Sequence, residues 1–297
     1  MKITKTKLKQ IIKEEVVKLL IEQDEYDDDY EEELTPAQKI IKLLTSPDPD
    51  NVNQGLTILD YLEDQQLINK IASHFTFVSK SSLITIQGFE VSNVTFWMIL
   101  NYFAEKSARV KYMLAQIESL NITDDFITNV DFLRFCTNLT TLSLSYCSSL
   151  ENVNGLEGCT NLTDLDLWRC DSLQNVNGLE GLTNLTTLDL SLCESLQNVD
   201  GLEGCTNLDW LNLSGCWSLQ NVDGLQGLTN LTDLDLRGCK SLQNVDGLEG
   251  CTNLKTLYLR WCRLLPIKLQ KFFTTDSRGT AYEKFIKALN ASKGNQP

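Results

Sequence analysis

From Leu139 onward the chain repeats with a period of 23 residues, and each unit of such a repeat must bury its apolar edge against its neighbours. The first leucine recurs at Leu139, Leu162, Leu185, Leu208, Leu231 and Leu254. Within Leu185 to Asn207, LTTLDLSLCESLQNVDGLEGCTN, the constant apolar residues occupy positions 1, 4, 6, 9, 12, 15, 18 and 21. The opening LxxLxL predicts a short strand, because buried positions 4 and 6 alternate with an outward position 5. The following every-third-residue pattern predicts a tight, non-strand return with no long helix. A weaker unit with Ile117, Leu120, Ile122, Val130 and Leu133 precedes these one 22-residue step upstream. The expectation is about seven coils, the first divergent as terminal units are.

This register resembles the leucine-rich repeat family over roughly the C-terminal half of the chain. The 23-residue length and the cysteine at position 21 are similar to the bacterial BspA-like class. The cysteine at position 9 is similar to cysteine-containing and SGC-type repeats, spelled by Ser214, Gly215 and Cys216. The resemblance implies an α/β solenoid with a parallel sheet on a concave face, short non-helical returns and a helical N-terminal cap.

The ten cysteines all lie in two repeat columns. Position 9 holds Cys147, Cys170, Cys193, Cys216, Cys239 and Cys262. Position 21 holds Cys136, Cys159, Cys205 and Cys251, with Leu182 and Leu228 in the same column. A column that accepts leucine or cysteine is a buried apolar column, so the thiols are expected to be free packing groups in a reducing compartment rather than disulfides or metal ligands. His74 is the single histidine, which leaves zinc sites and histidine-based triads little to work with. No cofactor is expected. Forty acidic against 26 basic residues give a net charge of -14, which argues against nucleic acid or an anionic membrane as the main partner.

Residues 1–23 are expected to form a basic amphipathic leader helix, with Leu8, Ile11, Ile12, Val16, Leu19 and Leu20 on one face. Residues 24–34 follow as an acidic linker containing DEYDDDYEEE. The leader is interrupted by Lys9, Lys13, Glu14 and Glu15, so no secretory signal or membrane-spanning run is read there. A cytoplasmic or virion location is the expectation. The leader is similar to those of bacterial and tailed-phage proteins, some of which are trimmed after Ile/Leu-x-Glu; Leu20-Ile21-Glu22 and Ile12-Lys13-Glu14 fit that pattern.

Residues 35–115 read as a mostly helical cap over the first coil. Its first helix is expected to start at Thr35 and Pro36 and to end near Ser46. Further helices are expected at about residues 51–63, 65–75 and 95–106, with a strand-like SLITI at Ser82 to Ile86. Phe96, Trp97 and Phe103 are expected in the core of this unit. Leu56 to Phe75 resembles an F-box but lacks its Leu-Pro start. The solenoid is expected over residues 116–265. Residues 266–297 read as a C-terminal cap with a short helix at Ala281 to Leu289.

Full copies hardly differ at positions 1, 4, 6, 12, 18, 20, 22 and 23, whereas positions 3, 5, 7, 8 and 10 vary. Strand alternation sends 3, 5 and 7 to one face, with 8 and 10 at the strand exit. From these columns the candidate ligand-binding residues are Asp164, Asp166, Trp168, Arg169, Asp189, Trp210, Asn212, Trp217, Asp233, Asp235, Arg237, Tyr258, Arg260 and Trp261. Four of the five tryptophans lie there, and Trp, Tyr and Arg are the types enriched at interface hot spots. Asp164, Asp166, Asp171, Asp189 and Glu194 bias the early coils acidic, while Arg237, Lys240, Arg260 and Arg263 bias the late ones basic. Six strands about 4.8 Å apart, with about seven residues exposed on each, give roughly 500 to 600 Å² of projected face. That area approaches the ~800 Å² per partner of a standard protein interface. Position 5 acids also have a structural reading as part of an LDLS habit. Asn154, Asn177, Asp200, Asp223 and Asp246 each precede a glycine and read as turn markers, with cation binding by the last three as the alternative.

The expectation is a non-enzymatic module that binds a protein or peptide on the concave face, with a second contact through the N-terminal helix. The alternatives are a virion or structural component with a processed leader, an F-box-like adaptor, and a glycan-binding protein.

Overall fold

The computed structural model describes residues 36–73, 75–79, 82–86, 93–266, 269 and 273–275, with side chains over 38–73, 97–266 and 269. The leader, the acidic linker, both Ile/Leu-x-Glu motifs, His74, the side chain of Phe96 and the expected helix at 281–289 lie outside them. The chain divides into two compact units, one over 1–79 and 83–113, the other over 80–82 and 114–297.

In the first unit, helix α1 (Pro36–Leu44) is followed by α2 (Pro49–Leu62) and α3 (Gln65–Ala72). Proline at the first position of α2 has no N–H to leave unpaired, and Asp48 caps that helix by accepting the Asp50 N–H at 2.9 Å. Asp64 caps α3 by accepting from the N–H groups of Gln66 and Leu67. Strands β1 (Phe75–Ser79) and β2 (Ser82–Ile86) pair into a small sheet, and β1 was not anticipated from sequence. Helices α4 (Asn93–Lys106) and α5 (Ala108–Leu114) follow. The core holds Ile40, Leu44, Leu59, Ile71, Trp97, Leu100 and Phe103.

The second unit is a stack of coils. Strands β3 (Ser119–Asn121), β4 (Thr141–Ser143), β5 (Asp164–Asp166), β6 (Thr187–Asp189), β7 (Trp210–Asn212), β8 (Asp233–Asp235) and β9 (Thr256–Tyr258) form one parallel sheet in sequence order. Their central leucines, Leu120, Leu142, Leu165, Leu188, Leu211, Leu234 and Leu257, stand in one register and are buried. The parallel part of the sheet has seven strands. At the far edge β10 (Phe273–Thr275) pairs antiparallel with β9, Phe273 opposite Tyr258, which satisfies backbone groups that the edge strand would otherwise expose.

The returns contain no α-helix, yet they are not irregular. Each carries a single 3-10 turn, as at Asn154–Gly158, Asp200–Leu202 and Asp246–Gly250. Asparagine at position 14 prepares these turns. Asn152, Asn175, Asn198, Asn221 and Asn244 accept the N–H two residues on at 3.1 to 3.3 Å.

The glycine that follows in each return has a different cause from the turn conformation expected. A Cβ on Gly155 would fall 2.0 Å from the Val130 carbonyl oxygen of the preceding coil. Gly178, Gly201, Gly224 and Gly247 repeat this contact at 2.0 to 2.1 Å. None of the five has a positive φ. Backbone-to-backbone contact between coils, rather than a left-handed turn, excludes every other residue there.

The coils are also stitched by polar ladders. Asn138, Asn161, Asn184, Asn207 and Asn230 each donate a side-chain N–H to a carbonyl of the preceding coil at 2.8 to 2.9 Å. The cysteines do the same from inside the core. All ten are free and buried. The position 9 thiols reach the carbonyl 25 or 26 residues earlier at 3.0 to 3.6 Å, as from Cys170 to Leu144 and from Cys262 to Leu236. Burial pushes Cys159 and Cys251 up to about 12 and Cys147 and Cys205 up to about 11, which holds these four thiols protonated. Position 9 is thus a donor site as well as an apolar one.

Candidate functional site

The parallel register lines up the variable columns. Position 3 runs Thr141, Asp164, Thr187, Trp210, Asp233 and Thr256, and position 5 runs Ser143, Asp166, Asp189, Asn212, Asp235 and Tyr258. The residue between them on each strand is buried, so both columns face outward. Trp210 is exposed, while Asp164, Asp233 and the position 5 residues are half-buried by their neighbours.

Position 5 is tied to the turn that leaves the strand. A side-chain oxygen of Asp166, Asp189, Asn212 and Asp235 accepts the N–H of position 7, at Trp168, Ser191, Ser214 and Arg237, over 2.8 to 3.0 Å. Their repulsion along the column is relieved by hydroxyl and amide donors: Ser143 donates to Asp166 at 3.0 Å, and Asn212 to Asp189 at 3.4 Å. The four carry a structural duty first. Asp164 and Asp233 each accept from the threonine that precedes them, at 2.7 and 2.6 Å.

The exit residues have no such duty. Here Tyr146, Arg169, Leu192, Gly215, Gly238 and Trp261 occupy position 8, and all have positive φ, from 58° at Arg169 to 77° at Gly215. Left-handed backbone costs an ordinary L-residue about 1 to 2 kcal/mol. Glycine avoids that cost in two coils, and four coils keep a large side chain. Tyr146 and Trp261 are 40% and 62% exposed, and Arg169 is exposed as well.

Two groups of side chains result. In the early coils Trp168 meets Tyr146 edge to face at 4.7 Å, and the Arg169 guanidinium lies over the Tyr146 ring at 5.6 Å. In the late coils Lys240 lies over Trp217, Arg237 over Tyr258 at 5.0 Å, and Arg260 over Trp261 at 5.4 Å. Arg237 also forms a bidentate ion pair with Asp235. Between these groups lie the small residues Ser191 and Ser214 of position 7. Tyr146 and Lys240 join the candidate residues only through these contacts; their place in variable columns was the available signal.

A groove of about 800 Å³ runs along the opposite, entry edge of the sheet, lined by the asparagine ladder and by Thr140, Thr163 and Thr186. None of the sequence-predicted site residues borders it. Among the described residues no cluster of His, Cys, Asp or Glu is arranged to hold a metal ion, and no helix is long and apolar enough to cross a membrane.

Residues 169–283 match the family model of the BspA type leucine rich repeat region, in six copies. Over that stretch the chain is similar to BspA-type leucine-rich repeats. None of the curated proteins matches the chain. Among solved structures, the leucine-rich repeat domain is similar to that of internalin C2 from Listeria monocytogenes, at 23% identity over 58% of this chain and 85% of that one, with a TM-score of 0.40. It is also similar to the leucine rich repeat protein of T. pallidum, at 20% identity over 52% and 80%, with a TM-score of 0.36. The leucine-rich repeat domain of the type III effector XopL aligns at 17% identity over 81% and 91%, with a TM-score of 0.38. Leucine-rich repeat domains are in general protein-interaction modules rather than enzymes.

Proposed function

We propose that the solenoid is a non-enzymatic module that binds a protein or extended peptide through the outward face and exit edge of its parallel sheet. What supports this reading above all is the occupancy of position 8. Tyr146, Arg169 and Trp261 hold large exposed side chains on backbone that Gly215 and Gly238 show to be cheaper with glycine. Local strain that carries exposed side chains, touching only their surface neighbours, is found where a surface has another task. The aromatic and guanidinium groups at these positions are the types that dominate binding energy in protein interfaces.

The test is a Tyr146→Gly/Arg169→Gly/Trp261→Gly variant compared with wild type in affinity capture from native lysate. Because glycine suits this backbone, the variant is expected to remain folded by circular dichroism while losing the wild-type partner. Retention of that partner by the folded variant would remove the exit edge from the binding site.

A further inference from the structure

The late coils reverse the sign of an otherwise acidic chain. Against a net charge of -14, Arg237, Lys240, Arg260 and Arg263 collect at positions 7 and 10 of two successive coils. The carboxylate of Asp235 in the same coils is held in the ion pair with Arg237. Lys240 and Arg260 rest instead on the faces of Trp217 and Trp261, which are 41% and 62% exposed. Each cation therefore keeps its outer side open to solvent and to an incoming anion.

The row of position 8 side chains is interrupted at the same place. Leu192, Gly215, Gly238 and Trp261 follow in successive coils, so two coils without side chains lie between two large ones. With coils about 4.8 Å apart, Leu192 and Trp261 stand roughly 14 Å from each other along the stack. The Leu192 side chain leans over Gly215, where a Cβ would meet it at 2.5 Å. Over Gly238 the nearest atoms are backbone, at 3.7 Å. This gap is flanked by indole surface and by cations.

We infer that the late coils take an acidic peptide segment carrying one bulky apolar side chain. The apolar residue lies over Gly238 against Trp217 and Trp261, and carboxylates on either side of it meet Lys240 and Arg260. The inference rests on the proposed function and adds the chemistry of the partner. Charge complementarity supports it, since a free acidic protein face would repel such a segment and this one attracts it. Nearby aromatic rings raise the worth of each cation by holding it in place and partly out of water.

The experiment pans a phage-displayed library of random dodecapeptides against the full chain, then measures the leading peptide in synthetic, fluorescein-labelled form by anisotropy. The expected selection is peptides with several Asp or Glu around one Trp, Phe or Leu. Their affinity should fall at least tenfold with Lys240→Glu/Arg260→Glu and again with Trp261→Ala, and should weaken as salt is added. Arg260→Gln, a milder change, should give a smaller loss in the same direction. Circular dichroism checks each variant. Selection of neutral or basic peptides, or of acidic peptides indifferent to these substitutions, would overturn the inference. Loss on Tyr146→Gly/Arg169→Gly alone would overturn it while leaving the broader binding function standing. No enrichment over an unrelated protein would count against both. Tighter binding of labelled oligo(dT) than of any peptide would replace the peptide with single-stranded nucleic acid and overturn the inference too.

Discussion

The ammonium of Lys240 lies 3.5 Å from the centre of the Trp217 ring, one coil away at the same repeat position. Exposed pairs of this kind contribute about 0.5 to 1 kcal/mol. A double-mutant cycle with Trp217→Ala and Lys240→Ala, read by urea denaturation, should give a coupling of that size. Additive effects of the two substitutions would show that the contact contributes nothing to stability.

Two glycines separate two physical causes. Gly155→Ala places a Cβ against the Val130 carbonyl, which belongs to the backbone of the preceding coil and cannot turn aside. The expected cost is at least about 3 kcal/mol. Gly238→Ala meets only ordinary van der Waals contact, with the Gly215 backbone at 3.7 Å, on left-handed backbone and should cost only about 1 kcal/mol. Equal losses, measured by urea denaturation, would contradict this account of the return.

Position 5 should tolerate the loss of charge and not the loss of its oxygen. Asp189 accepts from the N–H and hydroxyl of Ser191, and Asn212 fills the same role in the next coil. Asp189→Asn is expected to change stability by less than about 0.5 kcal/mol, and Asp189→Ala to cost about 1 kcal/mol or more. If Asp189→Asn instead abolishes partner capture at unchanged stability, the carboxylate belongs to the binding surface as well.

Stability should fall on the alkaline side. A thiol with a raised pKa binds its proton more tightly in the folded than in the unfolded chain, so its contribution is whole below the unfolded value near pH 9. It is lost as pH rises through the folded values, about 11 for Cys205 and about 12 for Cys251. Urea midpoints under reducing conditions should drop steadily above pH 9. Cys205→Ala should lower the midpoint at neutral pH and flatten the slope above pH 9. The native thiols should also resist a disulfide reagent until urea is added, and prompt reaction of the native chain would contradict their burial.

How much of this was legible without coordinates depends on which residues carry the information. The 23-residue leucine register determined the strands, their parallel order and the outward columns, because burying one edge of each unit on the next leaves a repeat no other regular arrangement. The Cys/Leu interchange at position 21 determined that the thiols are buried. The same register determined where variation between copies accumulates, and hence the candidate surface around Trp168, Trp210, Trp217 and Trp261.

Contacts between coils were decided only by the tertiary structure, since they pair residues 22 to 26 apart whose individual chemistry is ambiguous. Gly155 reads as a turn residue until Val130 is seen against it. Cys170 reads as a small hydrophobe until its thiol is seen donating to Leu144. Asp166 reads equally well as a ligand or a turn cap until its carboxylate is seen accepting from Ser143 of the preceding coil. The left-handed backbone at Tyr146, Arg169, Leu192 and Trp261 leaves no mark on those residue types at all. A sequence records what each side chain prefers, and it takes the stacked coils to show where a preference has been overridden.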